Sequence, residues 1–196
     1  MRRPAIAILA AILLSAPPAW AQTGARIASA ARGQVGVTTI YDPAYVQLRY
    51  PNGDLPMVRG VCADVIVRAF RGIGVDLQAE LHNDMARNFA AYPKKWGLRR
   101  PDSNIDHRRV PNLRVFFSRH GTALAVTGLV SDYRPGDLVT WDLSAGVPHI
   151  GIVVDQKSNE SGRYMVVHNI GAGPRMEDVL FHWKITGHYR YFGPGN

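Results

Sequence analysis

Apolar side chains recur at helical spacing just after residue 59. Cys62, Val65, Ile66, Ala69, Phe70 and Ile73 fall at i, i+3, i+4, i+7, i+8 and i+11, which is one face of an α-helix. Gly60 suits a sharp entry to that helix, and Gly72 and Gly74 suit its end. A second stripe, Leu77, Leu81, Met85, Phe89 and Tyr92, predicts a helix over 77–92 stopped by Pro93. Small residues from Ala25 to Ala31 predict a packing helix over 22–36, closed by Gly33. Leu113 to His120 reads as a short helix before Gly121. Between these elements, 37–59 carries the turn chemistry Asp42-Pro43 and Pro51-Asn52-Gly53-Asp54 with Tyr41, Tyr45 and Tyr50, and reads as an ordered loop. Residues 93–112 are polar and irregular, and connections of that length are often functional.

From residue 137 the period changes to two. The segments 137–142, 149–154, 163–168 and 186–192 are strand-like and bounded by Gly, Pro, Asn and Asp, with 155–162 as a hairpin loop. Short gaps favour antiparallel neighbours. Helices first and a sheet afterwards predict an α+β domain, N-terminal helices packed on a C-terminal antiparallel β-sheet. No repeat or linker interrupts it, so a single domain is expected over 22–196.

The first 21 residues predict a leader rather than structure. Arg2 and Arg3 precede the apolar run Ile6 to Leu14, and Ala19-Trp20-Ala21 is an A-x-A cleavage pattern that puts the mature start at Gln22. The apolar run is too short to span a bilayer, so no membrane span is expected in the mature form. A periplasmic protein is expected. The formal charge is +8, with 23 basic against 15 acidic side chains. A basic protein suits an acidic substrate or surface; export argues against nucleic acid.

Export also changes the meaning of the one cysteine. In an oxidising compartment cysteines usually come in pairs, and a single thiol risks oxidation and wrong pairing. Cys62 would sit in the first helical turn, where free N–H groups and the positive end of the helix dipole favour a thiolate and can lower its pKa. The alternative is a small buried apolar residue. A cysteine nucleophile needs a base, held by a third polar group. His149 opens a strand in which it shares a face with Gly151 and Val153, while Ile150, Ile152 and Val154 take the other. His168 ends the next strand-like segment, so the two histidines can approach across an antiparallel pair, with Asn169 pointing the opposite way. His182 and His188 have no obvious carboxylate partner. No His-Glu-x-x-His, paired-cysteine or phosphate-cradling glycine motif is present. No metal and no cofactor are therefore expected.

The series Pro135-Gly136-Asp137-Leu138-Val139-Thr140-Trp141, Pro148-His149-Ile150-Gly151-Ile152-Val153 and Met165-Val166-Val167-His168 resembles NlpC-type cell-wall cysteine peptidases. Tyr41-Asp42-Pro43-Ala44-Tyr45, Gly60-Val61-Cys62-Ala63-Asp64-Val65 and 104–113 resemble more closely an exported bacterial family of unknown function within that superfamily. The resemblance implies a papain-like fold with Cys62 as nucleophile, His149 as base and His168 as orienting residue. It implies a hydrolase, an amidase or endopeptidase, acting on peptide or amide bonds of peptidoglycan. Two departures stand out. The usual Asp-Cys-Ser-Gly is here Val-Cys-Ala-Asp, and the gap from His149 to His168 is longer than usual, which keeps Asn169 open as the third residue. Asp64, Asp106, His107, Arg108, Arg109 and Tyr45 are the candidate substrate contacts, with the Arg108-Arg109 forks suited to stem-peptide carboxylates. Asp106 and His107 alternatively hold their own loop. The competing functions are a binding module that keeps the fold without turnover, and an acyltransferase using the same Cys–His pair.

Overall fold

The computed structural model describes residues 18–194. The basic and apolar parts of the expected leader lie outside the described residues, and Ala19–Ala21 form the first residues of helix α1 (Ala19–Arg32). The cysteine helix α2 runs Cys62–Arg71, and every residue from Cys62 to Phe70 is buried. It lacks a Ser, Thr, Asp or Asn cap. Instead the Asp64 carboxylate accepts the Val61 N–H at 2.7 Å, satisfying one orphan donor of the first turn. Helix α3 (Leu77–Asn88) is capped by Asp76, whose side chain accepts from the Gln78 N–H. The expected helix to Tyr92 stops earlier, because the chain tightens into a 3₁₀ turn over Phe89–Ala91 ahead of Pro93. Helix α4 (Val110–His120) starts three residues before the expected Leu113. Pro111 sits in its first turn, where a missing N–H costs nothing.

The sheet has six strands in the order β3-β8-β4-β5-β6-β7: β3 (Thr122–Leu124), β4 (Leu138–Asp142), β5 (Pro148–Lys157), β6 (Tyr164–Asn169), β7 (Pro174–Glu177) and β8 (Lys184–Arg190). All its pairings are antiparallel. Strands β3 and β7 were not expected; both are short edge strands. A separate parallel pair, β1 (Ile40–Tyr41) with β2 (Arg59–Gly60), sets Tyr41 opposite Gly60.

The α+β reading of helices on an antiparallel sheet therefore holds. The main core joins Ile27, Ile66, Leu113 and Phe117 of the helices to Leu138, Ile150, Ile152, Val154 and Val167 of the sheet. Each such fully buried side chain contributes about 1.5–3 kcal/mol of hydrophobic stabilisation. The opposite face carries a smaller cluster of Tyr133, Val139, Trp141, Val153, Val166 and Leu180. Alternation along β5 accounts for the division: even positions turn to the helices and odd positions away. Trp141 is thus core, hydrogen-bonded through its indole N–H to the Leu180 carbonyl at 2.9 Å.

His188 departs from its expectation. Its Nε2 meets Asp137 Oδ2 at 2.8 Å, and Arg190 donates to both oxygens of the same carboxylate at 2.7 and 2.8 Å. Asp137 is fully buried and ties the start of β4 to β8. Among the described residues no helix is long and apolar enough to cross a membrane.

Candidate active site

Two loops and one strand converge on Cys62. Pairing of β1 with β2 fixes the residues that lead into α2. The Arg108 guanidinium then ties three pieces together. Its Nε and Nη2 donate to Asp64 Oδ1 and Oδ2 at 2.9 and 3.0 Å, Nη1 donates to the Ala44 carbonyl at 2.9 Å, and Nη2 to the Asp42 carbonyl at 2.7 Å. Both charged side chains are almost completely buried. The expected carboxylate fork of Arg108 is therefore already occupied by Asp64, and the pair is a buckle between residues 42–44 and the first turn of α2.

The other substrate candidates divide in the same way. Asp106 is buried and accepts from the Asp102 N–H and from Arg109 at 3.3 Å. Burial raises its pKa. His107 is buried with an unpartnered Nδ1, and burial pushes its pKa down to about 4. Asp64, Asp106, His107 and Arg108 thus organise the loop from within rather than offering free groups to a substrate. Arg109 and Tyr45 reach the cleft, and Arg108 lines it while its guanidinium stays bound to Asp64. Arg109 lies over the Trp96 ring at 4.1 Å. Tyr45 is 60% exposed, and its hydroxyl is held by Asp102 and Asn104 at 3.0 and 2.9 Å.

The cleft itself is about 400 Å³, lined by Tyr41, Tyr45, Cys62, Trp96, Arg109 and Pro148 among others. Strand β5 passes the thiol there: Pro148 faces the cleft, and the Ile150 N–H points at the sulfur, as do the N–H groups of Cys62 and Ala63. These donors favour the anion. Burial outweighs them and pushes the Cys62 thiol up to about 11, with Asp64 adding to the rise. The lowered pKa expected from a helix N-terminus is thus reversed, because depth in the core counts for more than the dipole in this resting state.

His149 lies between Pro148 and Ile150. Its ring lies 5.9 Å from Trp141 and 6.1 Å from Trp183 between centroids. Among the described residues no hydrogen bond joins its ring to the sulfur. Its Nε2 meets His168 Nδ1 at 2.8 Å, and His168 Nε2 meets Glu177 Oε2 at 2.9 Å. Burial lowers both imidazoles, His149 to about 3, while Glu177 partly opposes the fall at His168. Both are neutral rings at pH 7, so the resting site holds a thiol and an imidazole rather than an ion pair.

His149 and His168 therefore come together as expected. Asn169, the alternative third residue, turns to the other face. Its Nδ2 donates to the Gly60 carbonyl at 3.1 Å, fastening β6 to the loop before Cys62. Glu177 escaped the sequence reading because β7 did. The only available signal was Pro174 to Glu177 following the Gly171–Gly173 turn, which allows a hairpin back onto β6. Trp183, expected as core or cleft wall, shields the imidazole pair, lying 5.8 Å from His168. Among the described residues no group of three His, Cys, Asp or Glu is placed to hold a metal ion.

Two comparisons bear on the chain. Residues 28–191 match a family model described as a domain of unknown function, DUF1287. A protein of Escherichia coli (strain K12) described as "Uncharacterized protein YijF" is 58% identical over 172 residues, which span 88% of this chain and 83% of that protein.

Proposed function

Since the chain belongs to the DUF1287 family, whose description names no activity, we propose a function from the cleft. The protein is a periplasmic thiol hydrolase, an amidase or endopeptidase cutting peptide or amide bonds of peptidoglycan on an NlpC-like, papain-like scaffold. One observation carries the reading. A solitary cysteine opens a buried helix at a cleft, and the two residues that meet its surroundings, Pro148 and Ile150, flank an imidazole backed by a second imidazole and a carboxylate. A nucleophile, a base and groups that orient the base are what acyl transfer requires.

The chemistry follows from the resting protonation. Substrate in the cleft excludes water, and the thiol proton passes to His149 as sulfur attacks the amide carbonyl. The N–H groups at the start of α2 stabilise the oxyanion. Collapse breaks the C–N bond, His149 returns the proton to the leaving amine, and water, deprotonated by His149, cleaves the thioester. His168 and Glu177 stabilise the transient imidazolium. Muropeptide profiling of purified sacculi after incubation with wild type and Cys62→Ala tests this. New products with the wild type alone are expected; intact sacculi across a range of pH reject it.

A second reading rests on the thiol's pKa of about 11: a non-catalytic cell-wall binding module in which Cys62 only packs. Reactivity of the resting thiol does not separate the two readings, since both leave it protonated. Turnover does: a binding module leaves sacculi intact and retains them equally well as Cys62→Ala.

A further inference from the structure

The imidazole pair has no fixed polarity of its own, since each neutral ring carries one N–H on either nitrogen. Glu177 breaks that symmetry. An ionised carboxylate only accepts, so the 2.9 Å contact with Glu177 Oε2 requires the His168 proton on Nε2. His168 Nδ1 is then bare and can only accept, so the 2.8 Å contact requires the His149 proton on Nε2. The lone pair of His149 is left on Nδ1, the nitrogen that faces neither His168 nor Glu177. We infer that Glu177 is a positioning residue, fixing the tautomers of both buried imidazoles so that His149 Nδ1 is the basic atom.

The surroundings fit that role. Glu177 reaches the relay from β7, where Val166 pairs with Glu177 and His168 with Arg175. Its carboxylate is 37% exposed while the His168 ring is 1% exposed. A cavity of about 210 Å³ lined by His168, Arg175 and Glu177 opens behind the pair, separate from the cleft at Cys62. The charge therefore stays solvated while it orders two rings that are not. Trp183 covers both rings, which keeps water from competing for their nitrogens.

The catalytic meaning of this order rests on the hydrolase reading; the order itself does not. Ring ¹⁵N–¹H correlation spectra of the full chain at neutral pH read it directly. In the wild type both His149 and His168 are expected as Nε2–H tautomers. Glu177→Gln, whose amide can accept or donate, weakens that order without abolishing it. Glu177→Ala removes the anchor and gives mixed tautomers in both rings. Muropeptide turnover then falls about a hundredfold in kcat for Glu177→Ala, the size of a general-base contribution, with KM unchanged and Glu177→Gln between it and the wild type. An Nδ1–H tautomer at His149 in the wild type, or ring spectra of Glu177→Ala identical to it, overturns the inference. The expected spectra together with no wild-type turnover sustain it and reject the hydrolase reading instead.

Discussion

Replacing Arg108 by methionine distinguishes a structural buckle from a substrate clamp. The substitution keeps an apolar stem and removes the guanidinium. It strands the Asp64 carboxylate, 4% exposed, with the Val61 N–H as its remaining donor. It also frees the Ala44 and Asp42 carbonyls. Removing one partner of a buried ion pair costs about 3–5 kcal/mol, because an uncompensated charge stays in the core. A chain of this size loses about 2–4 °C in Tm per kcal/mol, so Tm should fall by about 6–20 °C. Thermal unfolding followed by circular dichroism at pH 7 measures it. The double variant Asp64→Asn with Arg108→Met removes both charges and should recover a large part of the loss. A fall of less than about 3 °C for Arg108→Met, with weaker retention on sacculi, refutes the buckle and returns Arg108 to the role its sequence position suggested.

Two further outcomes follow from burial. Alkylation proceeds through the thiolate. With the thiol at about 11, against about 8.5 for a free cysteine, iodoacetamide should label Cys62 at pH 7.5 at least about 300-fold more slowly than a free thiol. The rate should climb about tenfold per pH unit, and a plateau below pH 7, read by intact-mass spectrometry, contradicts the neutral resting pair. His107 is held neutral, with its folded pKa at about 4. The unfolded chain therefore binds the proton first, near 6.5, so this stability is complete above pH 6.5 and is lost as the pH falls toward 4, by about 3 kcal/mol. Urea unfolding at pH 7 and 4.5 should show a smaller acid loss in His107→Met than in the wild type, and equal losses refute the assignment.

The parts of the molecule that were legible in the sequence are those set by local period. The stripe from Cys62 to Phe70 emerged as α2, buried throughout, because helical spacing of apolar residues needs no knowledge of the partner surface. The alternation that sets Ile150, Ile152 and Val154 against Val153 along β5 was legible for the same reason. What the sequence withheld depends on depth. Asp64 and Arg108 read as candidate substrate contacts near a nucleophile, yet in the fold they pair with each other. Cys62 read as an activated thiol because its helix position is local, whereas the burial that raises its pKa is contributed by β5 and the loops around it.

The imidazole pair shows why register, more than residue type, decides the site. His168 stands opposite Gly151, not opposite His149. The two rings meet only diagonally, and that needs a gap beside His168 on the same face. Gly151 supplies the gap: a Cβ there would come within 2.7 Å of Val166 Cγ1 and 3.1 Å of the His168 Cβ. Any side chain at 151 would force Val166 to shift and crowd the His168 Cβ and the Val167 carbonyl, each 3.1 Å from the added carbon, beside the His149 Nε2 contact. The glycine between His149 and Ile152 is therefore part of the same device as Glu177. One leaves the room for the two rings to touch, and the other decides which nitrogens they touch with.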